Sequence, residues 1–317
     1  MAHKRRGAPV HGWVIVDKPV GVTSTQTVGA VKHVFAAQKA GHAGTLDPMA
    51  SGVLAVALGE ATKTVSFAME AEKSYCFTAR WGEARDSDDG EGRLTGMSPN
   101  RPSREDIEAL LPRFVGEISQ VPPRFSAIKV NGERAYDLAR DGETPQLDSR
   151  PVLIHEARLL SQPDPDHSEF ELRCGKGAYV RAWVRDFALA LGTFGYVSEL
   201  RRTRIGGFSA ANAIPLEKLK SFVHSPAAFE HLRPISTALD GIPALAVTAS
   251  DAVRLRCGHS ILMRAGLFAR IREEAPADGD LQGLTVYLSS PAGEPIALAE
   301  LSGGELRPFR VFNFGTG

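Results

Sequence analysis

Short apolar runs separated by glycine-rich turns dominate the first half of the chain. Trp13–Val16, Val53–Leu58 and Tyr75–Trp81 are rich in β-branched and aromatic residues and predict strands. A helix is expected to start at Ser103, because Ser103-x-x-Asp106 has the form of a capping box and Ile107, Leu110, Leu111 and Phe114 follow at helical spacing. Strands and helices do not alternate regularly, so the pattern favours an α+β fold over a doubly wound sheet.

The clearest helix spans Ala178 to Leu191, where Val180, Trp183, Val184, Phe187, Ala188 and Leu191 make one apolar stripe and Gly192 is placed to end it. Strands are expected on both sides, at Glu169–Cys174 and Val197–Ile205. Gly175-Lys176-Gly177 then joins strand to helix and brings Arg181 to the helix N-terminus. Prolines and glycines punctuate 206–243, and a new pattern begins at Ala244, which divides the chain into units 1–243 and 244–317. In the second unit Thr248-x-x-Asp251 caps a short helix. Strand-like runs follow at Leu267–Ile271, Leu284–Leu288 and Pro295–Leu301, predicting a small β-barrel appended to a larger body that folds without it.

With 317 residues, 43% of them hydrophobic and 23% charged, the chain has the composition of a folded protein with a sizeable core. Lys and Arg balance Asp and Glu at 37 each, so attraction to a polyanion has to be local. Residues 1–39 carry six bases against Asp17, and 173–204 carry seven against Asp186 and Glu199. Two basic stretches in a neutral chain suit a partner that is anionic on one side, although charge runs also occur on ordinary solvated faces. Cys76, Cys174 and Cys257 are far apart and predict reduced thiols in a cytoplasmic protein. Asp17 interrupts the first apolar run, and Val53–Leu58 is too short to span a bilayer, so neither a leader nor a membrane segment is expected.

Motifs for common chemistries fail. Gly59-Glu-Ala-Thr-Lys-Thr lacks the glycine before lysine of a phosphate loop, and Gly175-Lys-Gly-Ala-Tyr-Val lacks the third glycine of a dinucleotide fingerprint. A Gly-x-Ser-x-Gly elbow and a His-Glu-x-x-His pair are both missing. What stands out is Gly41-His42-Ala43-Gly44-Thr45-Leu46-Asp47-Pro48, followed by Met49-Ala50-Ser51-Gly52 and an apolar strand. Glycines permit a tight loop and Pro48 stiffens it, so one carboxylate, Asp47, is presented from a constrained turn. On physics alone Asp47 is equally a turn residue, and His42 a structural hydrogen-bonding residue.

The segment Gly41 to Leu54 resembles the signature loop of the TruB family of tRNA pseudouridine synthases at every fixed position. Further similar stretches follow in the family's order: Asp17-Lys18-Pro19-x-Gly21-x-Thr23-Ser24, Lys73-x-Tyr75, and Ser126-Ala-Ile-Lys129 with Gly132, Tyr136, Ala139 and Arg140. Lys176-Gly177-x-Tyr179-x-Arg181 and Leu200-Arg201-Arg202 complete a resemblance over about residues 11–215. Two features depart from it. The acidic loop reads Arg85-Asp86-Ser87-Asp88-Asp89-Gly90 in place of Thr-Asp-Thr before a second Asp, so Asp89 is aligned with the family's acid. The region after Ala244 is similar to the family's PUA-like RNA-binding barrel in length and strand pattern more than in letters.

The resemblance implies a mixed, mainly antiparallel sheet with flanking helices, and isomerisation of uridine to pseudouridine at position 55 in the T-loop of tRNA. It implies no cofactor and no metal, tRNA as partner, a monomer and a cytoplasmic location. Asp47 would be the essential carboxylate, either attacking the sugar or removing a ribose C2′ proton. Arg181 would pair with it, and Tyr75 would stack on the uracil and serve proton transfer at C5. Tyr75 as a plain strand tyrosine and Arg181 as a helix-flank residue are the structural alternatives. Leu200 would wall the uracil pocket or simply fill the core. His42 would support an extruded base. Lys18, Lys129, Arg201 and Arg202 would meet phosphates, with Tyr179 and Asp89 completing the substrate site. A non-catalytic tRNA-binding or folding protein, and a nucleosidase with a second carboxylate among Asp86, Asp88 and Asp89, are the competing readings.

Overall fold

The computed structural model describes residues 7–126, 128–130, 133–134, 147–274 and 281–314. One large sheet organises the first unit. Its strands run, in spatial order, Ile214–Pro215, Gly12–Lys18, Ser51–Leu58, Gly195–Ile205, Lys73–Trp81, His167–Cys174, Arg150–Asp164 and Gly116–Gln120. Gly12–Lys18 is parallel to Ile214–Pro215, and Gly195–Ile205 is parallel to Ser51–Leu58; the other pairs on this path are antiparallel. The mixed, mainly antiparallel α+β architecture expected from the sequence is present.

The places of Gly12–Lys18 and Ser51–Leu58 in the sheet explain their unbroken apolar runs. Val14 and Val16, with Leu54, Val56 and Leu58, face one core, while Trp13 and Ile15, with Val53, Ala55 and Ala57, face another on the opposite side of the sheet. A strand covered on both faces cannot alternate apolar with polar residues. Strand His167–Cys174 does alternate buried with more exposed positions, because one of its faces meets solvent.

The helix Val180–Ala190 is seated by its aromatic stripe. Trp183 and Phe187 stack at 4.7 Å between ring centroids, and Trp183 meets Phe77 at 5.8 Å and Phe170 at 5.7 Å, edge to face. Gly192, at φ +72°, closes the helix as expected. The helix at Ser103 has the anticipated capping box and spans Arg104–Leu110 before tightening into a 3₁₀ turn.

The C-terminal sheet runs Ala244–Ala246, Thr285–Ser289, Pro295–Ser302, Glu305–Val311 and Ile261–Leu262 in spatial order, which bears out a small β unit. One element differs from expectation: Leu267–Ile271 lies in a helix, Ala265–Glu274, and not in a strand. Leu267 and Ile271 are four apart, so a helix turns both toward the same core, where Ile271 is buried. The unit is also less separate than its boundary at residue 243 suggests. Tyr287, Leu298 and Phe312 belong to the same core as Trp13, Ile15 and Phe208 of the large sheet. The Lys63 ammonium donates to the Val311 carbonyl at 2.7 Å, and the Asn313 N–H donates to Glu60 at 2.7 Å.

Candidate active site

Strand Ala40–His42 pairs antiparallel with Ser51–Leu58, His42 opposite Val56, so the intervening residues form a hairpin loop carrying Asp47. Contacts distant in sequence hold this loop. The Ser24 hydroxyl both donates to the Leu46 carbonyl and accepts from the Leu46 N–H, each at 2.9 Å. The Pro48 carbonyl accepts from the Gly21 N–H at 2.8 Å and from the Lys18 ammonium at 3.4 Å. Arg202, almost fully buried, donates to the carbonyls of Val53 (2.8 Å), Gly44 (3.1 Å) and Thr45 (3.3 Å). The Asp47 carbonyl itself accepts from the Ala50 N–H at 3.1 Å. The loop is therefore fixed through its main chain, leaving the Asp47 carboxylate for other work.

That carboxylate faces Arg181. Arg181 Nε lies 2.9 Å from Asp47 Oδ2 in a close ion pair, with the Arg181 side chain 3% and the Asp47 side chain 33% exposed. The same guanidinium reaches Asp89 Oδ2 at 3.3 Å and donates to the carbonyls of Ser87 (2.8 Å) and Phe125 (2.9 Å). A buried guanidinium fixed on four sides sets the direction of the carboxylates paired with it. Arg181 occupies the first turn of its helix, whose start is held by Gln120. The Gln120 side chain accepts from the Tyr179 N–H at 2.9 Å and donates to the Tyr179 carbonyl at 3.1 Å.

Tyr75 lies opposite Arg202 in the sheet and is half-buried. Withdrawal from water pushes its phenol up to about 12, although the positive charge of Arg202 opposes the rise. The phenol is thus neutral at physiological pH. Arg202 thus holds the loop carbonyls and lies opposite this tyrosine, whose phenol also feels the Asp47 charge.

Not every expected contact residue faces outward. Lys18 is fully buried, and its ammonium donates to the carbonyls of Pro19 (2.9 Å) and Val22 (2.7 Å) as well as Pro48. Burial lowers it to about 8, against the opposing pull of the Asp47 charge. Lys18 and Arg202, expected at phosphates, therefore spend their donors on main-chain carbonyls in and beside the Asp47 loop. Arg201 is partly exposed and forks onto Asp17 at 3.0 and 2.8 Å. Leu200 is buried in the main core, and His42 is half-buried beside the loop. Tyr179 is partly buried, its phenol raised by that burial and, more weakly, by the Asp47 charge. For Lys129 only the main chain is described, paired with Arg134; Gly132, Tyr136, Ala139 and Arg140 lie outside the described residues. Among the described residues no group of three or more His, Cys, Asp or Glu could hold a metal, and no helix is long and apolar enough to cross a membrane.

Gly52 offers a direct test of the loop's bracing. It sits at φ +103°, and an added Cβ would lie 2.2 Å from the Arg202 carbonyl oxygen, a backbone atom that cannot yield. Gly52→Ala is expected to lower unfolding free energy by roughly 2–3 kcal/mol in denaturant titration. An unchanged midpoint would mean that the approach is not tight.

Comparison with known proteins agrees with this geometry. A family model described as the N-terminal domain of TruB family pseudouridylate synthases matches residues 32–180, and one described as the tRNA pseudouridylate synthase B C-terminal domain matches 181–240. A protein named tRNA pseudouridine synthase B from Bradyrhizobium diazoefficiens is 53% identical over 98% of this chain and 88% of its own length. A protein of the same name from Caulobacter vibrioides is 51% identical over 98% and 99%. Among solved structures, a Cbf5-Nop10-Gar1 complex contains a chain superposing with a TM-score of 0.72 at 24% identity, over 95% of this chain and 85% of that one. An H/ACA RNP bound to a substrate RNA containing 2′-deoxyuridine gives 0.72 at 22% identity, over 99% and 92%. At these identities the structural likeness is one of fold.

Proposed function

Because this chain belongs to the TruB family of pseudouridylate synthases, an isomerase that converts uridine to pseudouridine in tRNA, we propose that its target is the uridine at position 55 in the T-loop and that Asp47 is its essential carboxylate. The observation that carries this reading is the Asp47–Arg181 pair at 2.9 Å, buried on the arginine side and open on the aspartate side. Such a carboxylate is aimed and reachable.

The reaction breaks the bond between ribose C1′ and uracil N1, turns the base, joins C1′ to C5 and releases the C5 proton, with N1 reprotonated. No atom is gained or lost. Asp47 assists the first step by attack on the sugar or by removal of the C2′ proton, while Arg181 directs it. Tyr75 provides an aromatic face for the uracil and a neutral hydroxyl at the reacting base. A stacked base conceals C1′ and C5, so the nucleotide must be extruded, with His42 beside the loop to support the displaced stack. Leu200 is the apolar wall of the base pocket. Arg201 and Lys129, with Tyr179, supply the contacts to RNA. Asp89 contributes by anchoring Arg181. The protein acts as a monomer in the cytoplasm.

The nucleosidase reading needs a second available carboxylate. Asp86 is engaged by Arg93, Asp88 by Arg185, and Asp89 by Arg181 and Ser87. Incubation with an unmodified T-arm hairpin followed by nucleoside analysis is expected to yield pseudouridine in the RNA. Free uracil, or no product from a hairpin when whole tRNA is modified, would contradict the assignment.

Separating ring from hydroxyl tests Tyr75. Tyr75→Phe keeps the stacking face, so turnover is expected to slow by about 10²-fold with little change in tRNA affinity. Tyr75→Leu should lose both. A Tyr75→Phe enzyme as fast as its parent would leave the hydroxyl without a chemical role.

A further inference from the structure

Two successive acids of the loop 86–90 meet two arginines one turn apart on a single helix face. Arg181 reaches Asp89 at 3.3 Å, and Arg185, four residues later, reaches Asp88 Oδ2 at 2.9 Å. Arg185 also donates to the Val121 carbonyl at 2.7 Å and to Asp186 at 2.8 Å, so it ties the acidic loop, the helix and the chain after the edge strand at one point. Asp88 is buried and has φ +60°, a left-handed conformation that a non-glycine residue holds only when its surroundings impose it. Its N–H donates to the Arg85 carbonyl at 3.1 Å and its carbonyl accepts from the Val197 N–H at 3.2 Å.

We propose that Arg185 and Asp88 are positioning residues for the isomerisation: their ion pair holds the acidic loop where Asp89 can share the Arg181 guanidinium with Asp47. The inference rests on Asp47 and Arg181 being the catalytic pair. It explains why an acid occupies a left-handed, buried position that asparagine or glycine would fill with less strain: the charge is needed by Arg185.

The clamp carries its own pH signature. Asp88 is faced by Arg185 and Arg181 from the helix and by Asp186 beside them. Burial raises its carboxyl to about 6, and the two arginines only partly offset that rise. As pH falls through that value Asp88 takes a proton and the ion pair is lost. The folded pKa lies above the ordinary 3.8, so this group's contribution to stability is fully present below 3.8 and is lost as pH rises through about 6. Acid therefore weakens the clamp without destabilising the fold through Asp88. A merely structural pair would not separate rate from stability in this way.

The test uses the full chain, an unmodified tRNA transcript at saturation and tritium release from uracil C5 between about pH 5 and pH 7.5. The wild type is expected to slow below about pH 6. Asp88→Asn is expected to run at the wild type's acid rate throughout, about tenfold slower near neutrality, with KM within about twofold and no loss of melting temperature. Arg185→Met should match it, Arg185→Lys should recover to within about threefold of wild type, and the double variant should be no slower than either single variant. Retention of the wild-type acid limb by Asp88→Asn, or losses that multiply in the double variant, would overturn the clamp. Failure of the parent reading is seen separately, as normal turnover by Asp47→Asn in the same assay.

Discussion

Asp47→Asn is expected to slow pseudouridine formation by at least about a thousandfold while leaving the fold and tRNA binding nearly intact. The loop does not depend on the carboxylate for its shape. Its main chain is held by Ser24, Gly21, Lys18 and Arg202, and asparagine keeps the volume and the Asp47 carbonyl contact to Ala50. Arg181 loses one anion but retains Asp89 and the carbonyls of Ser87 and Phe125, so its buried charge is not orphaned. The melting temperature should therefore hold, and the dissociation constant for tRNA should stay within about threefold. Tritium release at saturating tRNA separates the outcomes. Turnover within tenfold of wild type would remove Asp47 from the chemistry, and a collapse in melting temperature would make it structural.

Removal of the chain after Pro243 is expected to cost the catalytic unit much of its stability. Tyr287, Leu298 and Phe312 leave the core that contains Trp13, Ile15 and Phe208, and Lys63 and Glu60 lose Val311 and Asn313. Three large buried side chains at about 1.5–3 kcal/mol each amount to roughly 5 kcal/mol or more, a large share of an ordinary folding free energy. For a body of this size that lowers the melting temperature by roughly 10–20 °C. Weaker tRNA binding would accompany the change, since Arg254, Arg256, Arg264, Arg270 and Arg272 leave with the unit. Four of these already have protein partners: the Ser260 carbonyl for Arg254, Glu294 for Arg256, Asp251 for Arg264 and the Phe268 ring for Arg272. A truncated chain that melts like the parent and loses only tRNA affinity would show the unit to be a detachable RNA-binding module.

The contrast between these residues shows what one-dimensional pattern conveys. The unbroken run Val53–Leu58 and the aromatic stripe of the Val180–Ala190 helix announce themselves, because burial on two faces, or on one helical face, dictates the residue types in order. Asp47 and Arg181 were legible through the motifs that hold them. Lys18 and Arg202 are different: a cation in a basic stretch suggests phosphate, and only the folded chain shows Lys18 buried on the carbonyls of Pro19, Val22 and Pro48 and Arg202 on carbonyls about 150 residues away. The same holds for Ser24, Gln120 and the Arg185–Asp88 pair, each a long-range contact with no local signature, although Arg181 and Arg185 at helical spacing opposite consecutive acids is a hint. At Leu267–Ile271 a short apolar stretch fitted both periods. The spacing of Leu267 and Ile271, four apart, was the discriminating feature.

The central claim joins one carboxylate to one nucleotide, and both halves can be read together. Unmodified tRNA is incubated with the wild type or with Asp47→Asn, and pseudouridine is then quantified position by position along the RNA. The account predicts pseudouridine at position 55 in the T-loop with the wild type and none at that position with Asp47→Asn. Pseudouridine at a different position, or equal amounts at position 55 from the two proteins, would contradict it.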